Sequence, residues 1–285
     1  MEPTTRSGMD LQGVEKEGDF TGGPAGRQTA AGRRPRAPDG KALPAASPRS
    51  HGALLHPGIA GGVIGAAVWR APAGHVILPD AVETRLFRVD PKSFRREELE
   101  EPAAILRSGG LVAFPTETVY GLGANAHDPD AVHRLRLVKD RPPEKPFTLH
   151  LASAEDVHRY VEEVPRVARL LMERYWPGPL TIVFPGNAGQ GIGVRVPAND
   201  IACELIRQVG AALVAPSANP ARKDPATDAA QAMEYFGGRI DAVVDGGPAV
   251  IRQASAVVEV DATGYRLLRE GIITHEMIHQ LLVGK

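Results

Sequence analysis

The stretch AFPTETVYGLG, residues 113–123, runs an apolar strand end straight into Thr116, Thr118, Tyr120 and two glycines. Hydroxyls at this spacing can orient a small polar ligand, and glycine lets backbone N–H groups approach an anion. Lys139 and Arg141 follow, one residue apart, in what the sequence predicts to be an extended, proline-flanked loop. There a guanidinium can fork onto a carboxylate or phosphate while an ammonium adds a point charge. Ser217 and Asn219 stand after the apolar run ALVAP, and His150 lies in the run FTLHL. Polar groups thus collect at strand ends, where open α/β sheets gather their ligands. No Ser-His-Asp set at recognisable spacing and no acid–base carboxylate pair stand out beside them. A cationic, hydroxylic set suits neutralising phosphates and aligning reactants better than attack by a protein nucleophile.

Other signatures carry less. The phosphate loop with Gly-Lys-Ser/Thr is absent, and GLGANA at 121–126 lacks the last glycine of the dinucleotide fingerprint. HEMIH at 275–279 matches H-E-x-x-H, but none of the six residues after His279 is a His or Glu that could complete a zinc site. An amphipathic helix without metal is expected there. Cys203 is the single cysteine, so the chain alone offers neither a disulfide framework nor a thiolate metal site, and a reducing, cytoplasmic compartment is expected. WPGP at 176–179 reads as a rigid corner with Trp176 in the core.

The elements that position these groups follow from composition and period. The chain has 285 residues, 43% hydrophobic and 24% charged, enough for one sizeable core or two small ones. A formal net charge of -1 confines any nucleic-acid contact to a local basic patch. The longest apolar stretch, GIAGGVIGAAVW at 58–69, stops at Arg70, short of the ~20 residues that span a bilayer, so no membrane contact is expected. Residues 1–84 are rich in Gly, Ala, Pro, Arg and Ser without sustained period; they are expected to be a disordered extension, or untranslated sequence with the true start near Val82. From residue 85 to 285, β-branched runs alternate with helical patterns, the signature of an α/β domain. Pro102 suits a first helical position, Asp128 and Pro129 open a second helix, and further helices are expected from about 154, from about 165, over 199–209 and over 227–236. LTIVF and IGVRV form an antiparallel pair, and ALVAP, DAVVD, AVVEV and YRLLR complete the strands. Hairpin-length links beside helical crossovers imply a twisted mixed parallel and antiparallel sheet with flanking helices.

Taken in order, AFPTETVYGLG, the Lys-x-Arg of VKDRPPEKPFTLHL, WPGPLTIVF, VRVP and APSAN resemble the YrdC-type family of threonylcarbamoyl-AMP synthases, over about Ile105 to Ile273. The resemblance implies an ATP-dependent nucleotidyltransferase that joins L-threonine and bicarbonate or CO2 to AMP and releases pyrophosphate. It implies ATP as substrate with Mg2+, a downstream tRNA threonylcarbamoyl transferase as partner, and a contact to tRNA or double-stranded RNA. The family's signature cavity maps onto Lys139, Arg141, Ser217 and Asn219, with Lys139 and Arg141 as the catalytic pair. Thr116, Tyr120 and His150 map onto contacts to threonine or the adenylate, and Thr181, Arg195, Ser255 and Arg269 join the substrate- and ATP-binding set. The length suggests the short, single-domain form. Two departures bear on activity. Where the family usually reads Ser-Thr-Val this chain has Ser255, Ala256 and Val257, and APSAN is followed by Pro220 and Ala221 instead of Ser-Gly. Those losses keep two other functions in view: an RNA-binding module of the same fold without catalysis, and a related carbamoyl-adenylate enzyme with another acceptor.

Overall fold

The computed structural model describes residues 82–142, 144–186 and 191–283. The expectation for residues 1–84 therefore lies outside the described chain except at its last three positions. Those are already tied to the domain: Val82 N–H donates to Gly238 O at 3.1 Å and Thr84 Oγ1 to Ile240 O at 2.6 Å.

Strands β1 (Arg85–Arg88), β2 (Val112–Phe114), β3 (Gly121–Asn125), β4 (Thr148–His150), β5 (Leu180–Phe184), β6 (Ile192–Arg195), β7 (Leu213–Val214), β8 (Ala242–Asp245), β9 (Ala256–Val260) and β10 (Tyr265–Arg269) form one ten-stranded sheet, ordered β1-β8-β2-β3-β7-β4-β6-β5-β9-β10. Parallel pairs (β1·β8, β2·β8, β4·β6, β5·β9) mix with antiparallel ones (β2·β3, β3·β7, β4·β7, β5·β6, β9·β10), as the alternating connection lengths imply. Helices α1 (Glu100–Arg107), α2 (Pro129–Val138), α3 (Arg166–Tyr175), α4 (Asp200–Val209), α5 (Ala229–Phe236) and α6 (His275–Val283) flank it.

Side-chain caps start the helices where the sequence places Asp or Asn. Asp128 accepts from Asp130 N and Ala131 N, Asn199 from Ala202 N, and Asp228 from Gln231 N. Each such cap is worth about 1 kcal/mol because it satisfies donors the first turn leaves unpaired. Gly210 ends α4 at φ 77, a conformation glycine adopts without a Cβ clash.

Three apolar clusters show how the sheet is covered. Leu106 of α1 and Leu205 of α4 pack with Val112, Phe114 and Val244 on one face of the β1-to-β7 half. Leu135 of α2 and Phe236 of α5 pack with Ala113, Leu122 and Val243 on the other. In the second half, Leu171 of α3 and Ile278 of α6 cover the face that carries Ile182, Val194 and Val258. Since side chains alternate along a strand, the residues between these point to the opposite face.

Several local expectations are corrected. Gly121 to Asn125 is a buried strand, not the end of an anion-cradling turn. Its glycines have a packing cause: a Cβ on Gly123 would lie 2.8 Å from Phe114 Cε1, so the Phe114 ring occupies that space. Residues 155–159 form a 3-10 turn instead of an α-helix. Helix α1 begins at Glu100, which puts Pro102 third in the helix, still within the turn whose N–H groups have no intrahelical acceptor. Finally, the Lys139–Arg141 segment is not extended. Asp140 sits at φ 49, with Asp140 N–H donating to Leu137 O and Arg141 N–H to Arg136 O. That pair of bonds is a Schellman closure of α2. It turns Lys139 inward while Arg141 follows the leaving chain.

Candidate ligand-binding cleft

The face of β4, β6 and β5 opposite Ile182 and Val194 carries polar groups in a row. His150 of β4 pairs with Arg195 of β6 in the parallel register. The antiparallel register of β6 with β5 pairs Val194 with Ile182, so one step further Thr181 comes opposite Arg195. Ser255, just before β9, closes the row: Thr181 Oγ1 and Ser255 Oγ are 2.9 Å apart. These residues form the floor of a cleft of about 650 Å3 whose walls include Thr116, Thr118, Tyr120, Thr148, Arg141, Ser217 and Arg269.

Each wall group is held by the fold. Thr116 Oγ1 donates to Val119 O at 2.6 Å and lies 2.9 Å from Thr118 Oγ1, which fixes the turn after β2. Tyr120 is fully buried and donates its hydroxyl to Gly247 O at 2.8 Å; burial pushes its phenol up, and Asp245 adds to the shift. Tyr120 therefore shapes the wall with its hydroxyl already engaged. Arg269 donates through Nε and Nη2 to Ser255 O, at 3.1 and 2.8 Å, bringing the end of β10 against the start of β9. Burial lowers its pKa, as does the nearby Arg195 charge.

Arg195 is 4% exposed. Its Nε donates to Gly178 O at 3.1 Å and its Nη2 to Thr118 Oγ1 at 2.9 Å. Gly178 belongs to the WPGP corner, where Trp176 is indeed core and anchors through Nε1 to Leu180 O at 2.7 Å. His150, also 4% exposed, has no hydrogen-bond partner on Nδ1. Burial, followed by the Arg195 charge, pushes its pKa down to about 3, so the imidazole is neutral at physiological pH. Buried polar atoms without a partner are exceptions in folded proteins, and this one sits on a residue of the cleft floor.

Lys139 and Asn219 do not reach this floor. They line an adjoining groove of about 1500 Å3, which shares Arg141 and Ser217 with the cleft and adds Lys145 and Arg222. Lys139 Nζ donates to Ser217 O and Asn219 O, each at 2.6 Å, so the α2 terminus and the loop after β7 are one unit. Ser217 Oγ donates to Asn219 Oδ1 at 2.6 Å. Burial, then the Arg141 charge, brings Lys139 down to about 8. Arg141 Nη2 donates to Pro146 O at 2.7 Å and its guanidinium lies 5.1 Å from the Phe147 ring centroid. The structure thus gathers Thr116, Tyr120, Arg141, His150, Thr181, Arg195, Ser217, Ser255 and Arg269 around one cleft and leaves Lys139 and Asn219 at its mouth.

Thr148 lines the same cleft. Its signal was the two-residue step to His150, which puts both on one face of β4. Ala256, where the sequence lacks a hydroxyl, points the other way: it is fully buried in the α3/α6 core with Val258 and Val260. His275 and His279 of α6 stack at 6.0 Å between ring centroids, and among the described residues no group of three His, Cys, Asp or Glu side chains could hold a metal. Nor is any described helix long and apolar enough to cross a membrane.

A largely buried cleft lined by Arg141, Arg195, Arg269 and several hydroxyls, adjoining a groove with Lys139, Lys145 and Arg222, marks an α/β protein with a cationic, hydroxylic site. Comparison with known proteins places it further. The Sua5/YciO/YrdC family model, described as "Telomere recombination", matches residues 104–271, and the chain belongs to that family. It is 40% identical over 201 residues to the threonylcarbamoyl-AMP synthase of Pyrococcus abyssi, covering 66% of this chain and 59% of that protein. It is 38% identical over 203 residues to the Bacillus subtilis protein of the same name, covering 68% of this chain and 59% of the relative. The solved structure of P. abyssi Sua5 complexed with L-threonine superposes with a TM-score of 0.67 at 38% identity, over 70% of this chain and 61% of that one. The chain therefore spans about three fifths of the length of these relatives.

Proposed function

We propose that this protein is an L-threonylcarbamoyladenylate synthase. It would use L-threonine, bicarbonate or CO2, and ATP, release pyrophosphate, and feed threonylcarbamoyladenosine formation next to the anticodon of tRNA. The observation that carries this reading is the division of the site into a buried floor and an open basic groove. Arg195, His150, Thr181 and Ser255 offer a compact polar seat for an amino acid, while Arg141 and Lys139 sit where a polyphosphate would run. The relatives' name and the threonine-bound neighbour support the same substrate.

On this reading the threonine amine adds to CO2, giving up one proton to solvent, and becomes a carbamate. A carbamate oxygen then attacks the α-phosphorus of ATP; the new P–O bond forms as the bond to the β-phosphate oxygen breaks, and pyrophosphate leaves. The protein supplies alignment and positive charge, with no covalent intermediate on a side chain. Lys139 and Arg141 offset the charge that moves onto the leaving group, and Arg195 and Arg269 flank the acceptor end. Mg2+ would arrive on the triphosphate, since the cleft's donors are cations and hydroxyls instead of a carboxylate cage. The product, a labile mixed anhydride, calls for a transferase close by that moves it to tRNA, in the cytoplasm. The groove cations Lys145 and Arg222 supply the local basic patch a tRNA contact needs.

The test is pyrophosphate release by the full chain from ATP and bicarbonate, with and without L-threonine, and mass detection of the adenylate. Release that depends on threonine and yields that mass supports the synthase. Release indifferent to threonine would reassign the acceptor, and RNA binding without release would favour the non-catalytic module.

A further inference from the structure

Glu117 is the buried acidic group at the cleft that the mechanism above does not use. It is 8% exposed, its Oε1 lies 2.8 Å from Arg195 Nη2, and neither carboxylate oxygen is in hydrogen-bond geometry with any described group. It stands behind the cleft wall, not in it, between Thr116 and Thr118, which both line it. Its own backbone is held, since Ile251 N–H donates to Glu117 O at 2.8 Å. A carboxylate kept out of water with no hydrogen bond costs free energy unless a cation faces it, so this one is retained against Arg195.

The Arg195 guanidinium is thereby fixed on two sides. Nε goes to Gly178 O, and Nη2 is shared by Thr118 Oγ1 and the Glu117 carboxylate. The hydrogen bonds and ion pair of Arg195 with described residues run through Nε and Nη2, which leaves Nη1 for a ligand in the cleft that Arg195 lines. Because a guanidinium is planar, constraints at Nε and Nη2 settle the direction of the remaining edge. The charge of Glu117 also balances that of Arg195. Arg269 remains as the cation beside the floor without a described carboxylate partner, enough for a monoanion, while Arg141 and Lys139 at the mouth add the charges that a polyphosphate needs.

We infer that Glu117 is a positioning residue: it sets the Nη1 edge of Arg195 for the carboxylate of the amino-acid substrate and, through that pair, decides affinity for threonine separately from affinity for ATP. This inference rests on the synthase reading. It requires both the length and the charge of the Glu117 side chain.

The experiment compares Glu117→Gln and Glu117→Asp with wild type in the full chain. Thermal unfolding first establishes that each variant is folded. Calorimetric Kd for L-threonine and separate KM values for threonine and ATP are then measured. Gln keeps the shape and removes the charge; Asp keeps the charge and withdraws it by one methylene. Positioning requires both folded variants to weaken threonine at least tenfold, with KM for ATP changed less than threefold. Two results overturn it. If Asp behaves as wild type while Gln binds threonine more tightly, Glu117 is only a counter-charge. If threonine and ATP constants shift together, or neither shifts, the residue is structural. A wild type that binds threonine without releasing pyrophosphate would refute the synthase reading yet still allow the two variants to be judged by Kd; a wild type that does not bind threonine refutes both.

Discussion

Lys139 gives the most demanding check on the division of the site. The residue is 6% exposed, its ammonium donates to two backbone carbonyls, and burial and the Arg141 charge bring its pKa from 10.5 to about 8. The free enzyme therefore loses this charge within an accessible pH range, and kcat/KM for ATP should fall roughly tenfold per unit above pH 8, because that ratio reports free-enzyme ionisations. Bound phosphates favour the charged form, so the limb in kcat should lie at higher pH than the limb in kcat/KM. Lys139→Met should lower kcat/KM about 10²–10³-fold, some 2.7–4 kcal/mol for a preorganised charge, and should remove the limb between pH 8 and 9.5. Stability must move in the other direction. The unfolded chain holds this proton up to about 10.5 and the folded chain only to about 8, so unfolding takes up a proton between those values and stability rises with pH there. The total is about 3 kcal/mol at most, from 1.36 kcal/mol per pKa unit. Pyrophosphate release and urea unfolding, each measured from pH 7 to 10, should therefore trend oppositely in wild type, with both trends reduced in Lys139→Met. A kcat/KM profile that stays flat to pH 10 would show that the Lys139 charge is not used.

Two further outcomes follow from burial. His150, held down to about 3, is neutral when folded but takes a proton below about 6.5 when unfolded, so stability is complete above 6.5 and is lost as pH falls towards 3. At pH 4.5 the loss should be about 2.7 kcal/mol, and urea titrations of wild type against His150→Gln should show the variant less acid-sensitive; equal acid sensitivity would refute it. Restoring the family's hydroxyl with Ala256→Thr should not raise turnover, because Ala256 lies on the core face with Val258 and Val260. It should instead cost about 1–3 kcal/mol through overpacking, read as a lower Tm, and a gain in activity would place that side chain in the cleft after all.

What the sequence could and could not disclose divides along the range of the interactions involved. Caps are local, so Asp128 marks the start of α2 from the sequence alone, and the helices expected over 199–209 and 227–236 begin within two residues of those starts, after the caps Asn199 and Asp228. Strand β3 escaped because glycine disfavours strands; it is a strand only since the ring of Phe114 needs the space that Gly121 and Gly123 leave, and β2 and β7 flank it. Asp140 escaped for a related reason: nothing in Lys-Asp-Arg announces a left-handed residue, yet that turn sends Lys139 to the groove and Arg141 to the junction with the cleft.

The floor of the cleft is the least local feature of all. Period two along FTLHL puts Thr148 and His150 on one face without saying which, and only the registers of β4 with β6 and of β6 with β5 align His150, Arg195 and Thr181. The family resemblance could name those residues but not explain their company. The explanation lies in coverage: α3 and α6 take the apolar face of this half of the sheet, so the alternate positions Thr148, His150, Thr181 and Arg195 are left to the opposite face, where they line the cleft. Nothing local in TET distinguishes Glu117 from a solvated surface charge. Its meaning depends on an arginine 78 positions further along the chain, which only the folded sheet brings within 2.8 Å.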